Sequence, residues 1–164
     1  MYLIETEAHY DGETDEFRRA KTYVGVTQDF TKRLSQHNDD DKYKRGAKKG
    51  QKRKSRQGAV YTRGRRWKPI CIVSGFPDKK TALQCEWRMH HPRPRQSGPT
   101  PRIRRVRDLC ATMCRERCTT GAPLNASLVL TVHWNCVDDA QNALNGTSLK
   151  WPSNVEHKKL QYAV

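Results

Sequence analysis

No run in this sequence approaches the roughly 20 apolar residues that a membrane-crossing helix needs, so a helical span is excluded. The opening residues, MYLIETEAHYDG, have neither a basic segment nor an apolar one, which excludes a secretory signal. An intracellular protein is therefore expected, with its six cysteines as reduced thiols. CxxC pairs are absent as well. Cys71, Cys85 and Cys136 are scattered, and Cys110, Cys114 and Cys118 fall four apart on one expected helical face. Tetrahedral zinc sites usually use tightly paired ligands, so these thiols read as packing groups. Hydrophobic residues make up only 35% of the chain, which limits the core to a modest one. No internal repeat is visible.

Carboxylates are scarce beside cations. Among 164 residues there are 17 Asp and Glu against 32 Lys and Arg, a formal net charge of +15. Such an excess draws in polyanions and speeds encounters with them, and nucleic acid is the partner that most often accompanies it.

The patterning predicts a strand at residues 2–6 and a second over KTYVGV at 21–26, joined by a polar loop with an Asp11-Gly12 turn signal. Thr27 or Asp29 is placed to cap a helix carrying Arg33, Leu34 and His37. An acidic cluster at residues 39–41 precedes a basic run, KYKRGAKKGQKRKSRQG, which is too polar to bury a face. KPICIVSG, at 68–75, is apolar enough for a central strand. Asp78 is placed to cap a helix over residues 79–91. That helix must stop at Pro92, Pro94, Pro99 and Pro101. A basic helix is expected over 102–118 and an alternating strand over 126–134, followed by a weakly patterned polar tail.

Within this order sit two phenols, Tyr2 and Tyr23, on the first strands. Arg33 and His37, four apart, share one helical face, and Glu86 lies on the later helix. Phosphodiester hydrolysis asks for such groups. A planar guanidinium matches phosphate and offsets charge growing on its oxygens. A carboxylate can hold a divalent cation, and an imidazole or phenol can relay a proton. Each residue taken alone also has a plain structural reading. The tyrosines could be packed strand residues, Arg33 a solvated helix charge, His37 a cap and Glu86 a surface acid.

Read together, the strings narrow the choice. Tyr2-Leu3-Ile4 and Tyr23-Val24-Gly25-Val26-Thr27 are followed by Arg33 with Gln36-His37-Asn38. Next come Gly58-Ala59 with Thr62, then Gly75-Phe76-Pro77, then Ala82-Leu83 with Glu86-Trp87. Over about residues 1–92 the chain resembles the GIY-YIG nuclease superfamily, and within it the Slx-type structure-specific endonucleases. The resemblance implies that Tyr2 and Tyr23 are the two motif tyrosines, either of which could activate water. It implies that Arg33 is the catalytic arginine, His37 a proton partner and Glu86 the ligand of one divalent metal, Mg²⁺ or Mn²⁺. Gly25 matches the glycine that lets backbone approach the site closely.

Three features depart from the family pattern. Met1 stands where the first motif has its glycine, which leaves Tyr2 little preceding chain to anchor it. The stretch at 7–20 is longer than in relatives. The zinc-binding RING-like domain usual in the Slx branch is not found, although Val106 to Trp134 loosely resembles the segment that precedes it. The basic run, with Lys48, Lys49, Lys52, Arg53 and Lys54, reads either as an arm on the DNA backbone or as a nuclear localisation signal. Arg63, Arg65 and Arg66 extend the expected DNA-binding surface. Tyr61 and Trp67 could stack on unpaired bases, although packing under the third strand is favoured for Trp67.

The expected architecture is α/β: a small GIY-YIG-type domain at 1–92 with a three-stranded, mainly antiparallel sheet flanked by helices, a Pro-rich linker at 93–101, and an α+β extension at 102–164. The expected function is metal-dependent cleavage of branched DNA, such as flaps and junctions, in repair or recombination. A scaffold protein is a possible partner. The place of action would be the nucleus in a eukaryote, or the cytoplasm or replication site for a virus. The alternatives are a non-catalytic nucleic-acid-binding module and a GIY-YIG nuclease with another role, in damage incision or mobile-element cleavage.

Overall fold

A computed structural model describes residues 1–38, 60–62 and 64–161. Strand β1 (Tyr2–Thr6) is buried at every position. It lies between β4 (Lys21–Gly25) and β5 (Lys68–Ser74), antiparallel to both. Alternation along β1 sends its residues to two different cores. Leu3 joins Val24 and Val73 against Cys85 and Met89 of α2 (Lys79–His90) and Val106 and Leu109 of α3 (Pro101–Met113). Tyr2 and Ile4 join Trp67, Tyr23 and Ile72 on the opposite face, under Phe30 and Leu34 of α1 (Phe30–His37). Tyr2, Tyr23 and the helix bearing Arg33 and His37 lie on this second, more polar face, whereas Glu86 lies on α2.

The three helices begin where their caps dictate. The Asp29 carboxylate accepts from Lys32 N at 2.9 Å, Asp78 from Thr81 N at 2.7 Å and Thr100 from Ile103 N at 3.2 Å. Pro101 occupies the first turn of α3, where its missing N–H costs nothing. The helix expected over 102–118 stops earlier, at Met113. Asn125 folds back there and donates to the carbonyl of Thr112 at 2.9 Å, while the Cys118 thiol meets Asn125 Oδ1 at 3.4 Å. Cys118 is therefore beyond the helix and shares no face with Cys110. Cys71, Cys85, Cys110 and Cys118 are buried free thiols.

The sheet has five strands, in the order β4-β1-β5-β6-β7, where three were expected. The reason lies in β5, which has a second edge to pair. β6 (Leu130–Trp134) fills it antiparallel, with Cys71 opposite Trp134 and Val73 opposite Val132. After the short helix α4 (Asp139–Asn142), β7 (Val155–Lys159) pairs parallel to β6. Only Val155 of β7 is buried. Its sequence, VEHKK, is that of an edge strand guarded by charge, which is why the polar tail gave no strand signal. Arg102 ties the extension to β1, reaching Glu5 at 3.1 Å and also pairing with Asp139.

Residues 7–20 are a separate hairpin, β2 (His9–Asp11) and β3 (Glu16–Arg18), with Tyr10 opposite Phe17. Asp11 shapes its turn by accepting from Glu13 N at 3.1 Å, and it pairs with Arg18 at 2.7 Å. Met1 supplies the anchor that Tyr2 was expected to want. Its backbone exchanges two hydrogen bonds with Val73, of 2.9 and 2.7 Å, and its side chain is buried in the first core.

Candidate active site

Tyr2 and Gly25 are register partners on β1 and β4, and the Tyr2 phenol lies across the glycine. A Cβ at position 25 would stand 2.5 Å from Cζ of the Tyr2 ring. Gly25→Ala should therefore push the phenol off its partners and cost about 1–3 kcal/mol, as overpacking does. Chemical denaturation reads the loss. An unchanged midpoint would show that the ring moves aside freely and that the glycine is not needed for this approach.

The displaced phenol would leave a polar chain. Arg33 Nε donates to Tyr2 Oη at 3.4 Å, and Tyr2 Oη lies 2.7 Å from His37 Nε2. His37 Nδ1 lies 2.8 Å from Thr62 Oγ1. Arginine can only donate, so the phenol oxygen accepts from it. The neutral imidazole bridges the phenol and the Thr62 hydroxyl, with one ring nitrogen donating and the other accepting. Arg33 Nη1 also donates to Gln36 Oε1 at 3.0 Å. Asn38 and Trp67 fix the end of α1, with Trp67 N donating to Asn38 Oδ1 at 2.6 Å and Asn38 Nδ2 returning a bond of 3.0 Å. Trp67 is packed at 3% exposure, and its indole N–H donates to Thr62 O at 2.8 Å.

Burial keeps this chain neutral apart from the guanidinium. It pushes the Tyr2 phenol up to about 12, with Arg33 offsetting part of the shift. Burial and then the Arg33 charge push His37 down to about 4 from an ordinary 6.5. The unfolded chain takes up this proton near 6.5, whereas the folded chain resists it. The stability contributed by the neutral ring is thus complete above about pH 6.5 and is lost as pH falls towards 4. An NMR titration of the His37 ring in the free protein should show a midpoint near 4. A midpoint at or above 6.5 would remove the ring from this network.

Tyr23 occupies a different position. It is only half-buried, its ring 6.4 Å from Tyr2, 5.3 Å from His37 and 6.0 Å from His90. Its phenol is raised by burial first and next by the negative charge of Glu86, which also acts on Tyr2. Glu86, on α2, is partly exposed, with Oε1 3.8 Å from His90 Nε2 one turn later. Arg33 lines an open cleft of about 390 Å³ together with Lys32, Gln36 and Lys79. Tyr2, Tyr23, Arg33, His37 and Glu86 therefore come together from β1, β4, α1 and α2.

Other expected residues are placed elsewhere. Arg65 donates to the carbonyl of Arg19 at 2.9 Å, supporting the chain between β3 and β4, and Arg66 is exposed. Lys48, Lys49, Lys52, Arg53, Lys54 and Arg63 lie outside the described residues. Thr62, Gln36 and His90 were not expected as site residues. The first two lay inside the quoted strings. His90 stands four after Glu86, the same helical spacing that marked His37 after Arg33. Tyr61 is 51% exposed and stacked on Tyr23 with ring centres 6.2 Å apart.

This arrangement has a family. The GIY-YIG catalytic domain matches residues 2–91, and the chain belongs to that family. Within it the chain is similar to the human structure-specific endonuclease subunit SLX1, at 36% identity over 126 residues, 71% of this chain and 38% of that protein. It is also similar to the Schizosaccharomyces japonicus subunit slx1, at 45% over 71 residues, 43% of this chain and 21% of that one. The SLX1 homolog of Leishmania infantum is 41% identical over 70 residues, 43% of this chain and 8% of that protein. The chain thus spans well under half the length of these relatives. The human match is longer than the catalytic domain alone, so the similarity continues into the segment after residue 91.

Proposed function

We propose that this protein is a structure-specific DNA endonuclease that hydrolyses phosphodiester bonds at branch points. The observation that carries the reading is the chain of Arg33, Tyr2 and His37, with the Tyr23 phenol beside it and the Glu86 charge acting on both phenols, next to a cleft lined by Arg33, Lys32 and Lys79. A protein that only binds DNA has no use for a carboxylate whose charge acts on these phenols, since it repels phosphate. The names of the similar proteins support the same activity, and their designation as subunits supports a scaffold partner. Action in DNA repair or recombination, in the nucleus if the source is a eukaryote, fits this reading.

Exposure divides the work between the tyrosines. Tyr2, at 1% exposure, serves to hold Arg33 and His37. Tyr23, half-buried, is the phenol that orients the attacking water, with the His37 and His90 rings near it. Arg33 stabilises charge on the phosphoryl oxygens. Glu86 would hold one divalent cation, Mg²⁺ or Mn²⁺. Among the described residues no cluster of three or more metal-ligating side chains occurs. A single carboxylate nonetheless suits Mg²⁺, which keeps several waters and takes phosphate oxygens as its other ligands. When bound, such an ion polarises the phosphate and steadies the leaving oxygen.

The test is direct. Purified protein is incubated with flap, junction, single-stranded and fully paired DNA, each with Mg²⁺ and with EDTA. Cleavage of the branched substrates in Mg²⁺ alone is expected. Binding without cleavage of any substrate would leave a DNA-binding module instead.

A further inference from the structure

The outer face of α2 is not covered by the rest of the described fold. Leu83 is 42% exposed and Trp87 49%, although both are large and apolar. They line an open groove of about 890 Å³ with Lys79, Lys80 and Arg88 on its rim and residues 119–121 opposite. The Trp87 ring is held in place. It stacks on His91 at 4.3 Å, and the Arg88 guanidinium, fixed by a 2.8 Å bond to Cys118 O, lies 5.1 Å from its centre. An aromatic surface already fixed in orientation loses little side-chain entropy when something stacks on it.

We propose that this strip is a stacking platform for the unpaired bases of the substrate strand next to the cleaved bond. The inference rests on the endonuclease reading and names the feature of the branch that is recognised. Two observations support it. The groove borders the Arg33 cleft: Lys79 lines both, and Trp87 follows Glu86 on α2. Its chemistry also sets one aromatic ring and Leu83 among three cations, which suits a single strand, where bases alternate with phosphates. Paired bases are already stacked on each other and offer no free face, so the platform distinguishes branched from continuous DNA. The other exposed aromatic pair, Tyr10 and Phe17, does not suit this occupant. It sits on a hairpin segment carrying Glu7, Asp11, Glu13, Asp15 and Glu16, whose charge repels phosphate.

Binding in EDTA is compared for two DNAs of equal length: a flap with 2-aminopurine at its first unpaired position, and a fully paired duplex. In the wild type the flap probe should be quenched on binding. Trp87→Ala should abolish the quenching and raise Kd for the flap about tenfold, the usual scale for one lost base stack. Kd for the duplex should stay within about twofold. Trp87→Phe should restore most of the preference, which loss of folding would not permit. An unchanged flap preference in Trp87→Ala overturns the platform and leaves the strip to a protein partner. Equal weakening for both DNAs overturns it too, as a general contact. Wild-type cleavage in Mg²⁺ is measured alongside. If the wild type cuts flaps and the preference ignores Trp87, only the platform fails. If the wild type cuts nothing, the endonuclease reading fails whatever the binding shows.

Discussion

Glu86→Gln is expected to lower the rate of flap or junction cleavage by about 10³-fold or more, while changing DNA affinity by no more than about twofold. The substitution preserves shape and removes one negative charge. That charge reaches both site phenols, and nothing in the core depends on it, since Glu86 is partly exposed and its nearest ionic neighbour is His90 at 3.8 Å. Loss of a carboxylate from a cationic surface should, if anything, strengthen phosphate binding, so a fall in turnover cannot be ascribed to weaker association. The two measurements are single-turnover cleavage with Mg²⁺ and equilibrium binding in EDTA. A Glu86→Gln enzyme that cuts within about tenfold of wild type would take Glu86 out of the metal-holding role. Undiminished wild-type turnover in excess EDTA would remove the metal itself.

Much of this site could be read from the chain because its parts have local signatures. The Arg33 and His37 spacing is a property of any helix, and the Asp29 and Asp78 caps announce where those helices start. The strands carrying Tyr2 and Tyr23 were legible from their β-formers. What could not be read was long-range. Nothing local marks Thr62 as the partner of His37, because the two are brought together only when Trp67 packs beneath the sheet and Asn38 clamps it. The burial that separates Tyr2 from Tyr23 depends on α1 closing over one face, so the two phenols look alike in sequence. The fourth and fifth strands were obscured for opposite reasons. Leu130 to Trp134 alternates correctly, but its pairing with β5 spans some sixty residues of chain. Val155 to Lys159 pairs only through its backbone, with side chains chosen for an edge.

Arg33→Lys should lower the cleavage rate by about 10²- to 10³-fold while raising Kd for DNA far less. Lysine keeps the charge but is a single compact donor, whereas Arg33 uses its fork in two directions at once. Nε meets Tyr2 Oη and Nη1 meets Gln36 Oε1, and these bonds fix the plane of the guanidinium at the wall of the cleft. An ammonium cannot reproduce both bonds and still face phosphate. The loss should therefore fall on stabilisation of the transition state, which demands a fixed geometry, and little on encounter, which demands only charge. Replacing the guanidinium also strips Tyr2 of its fixed donor and leaves the positive charge near His37 on a flexible stem. The effect should be visible without DNA: burial, the larger cause of the low His37 titration, remains, but the titration is expected to move up somewhat from about 4 as the planar cation gives way to a mobile one. Single-turnover cleavage at saturating protein, with the ring titration as control, separates the outcomes. A rate within about twofold of wild type would make Arg33 a binding charge and no more. A lost rate with an unmoved His37 titration would place its action on the phosphate alone and free the polar chain from any part in it.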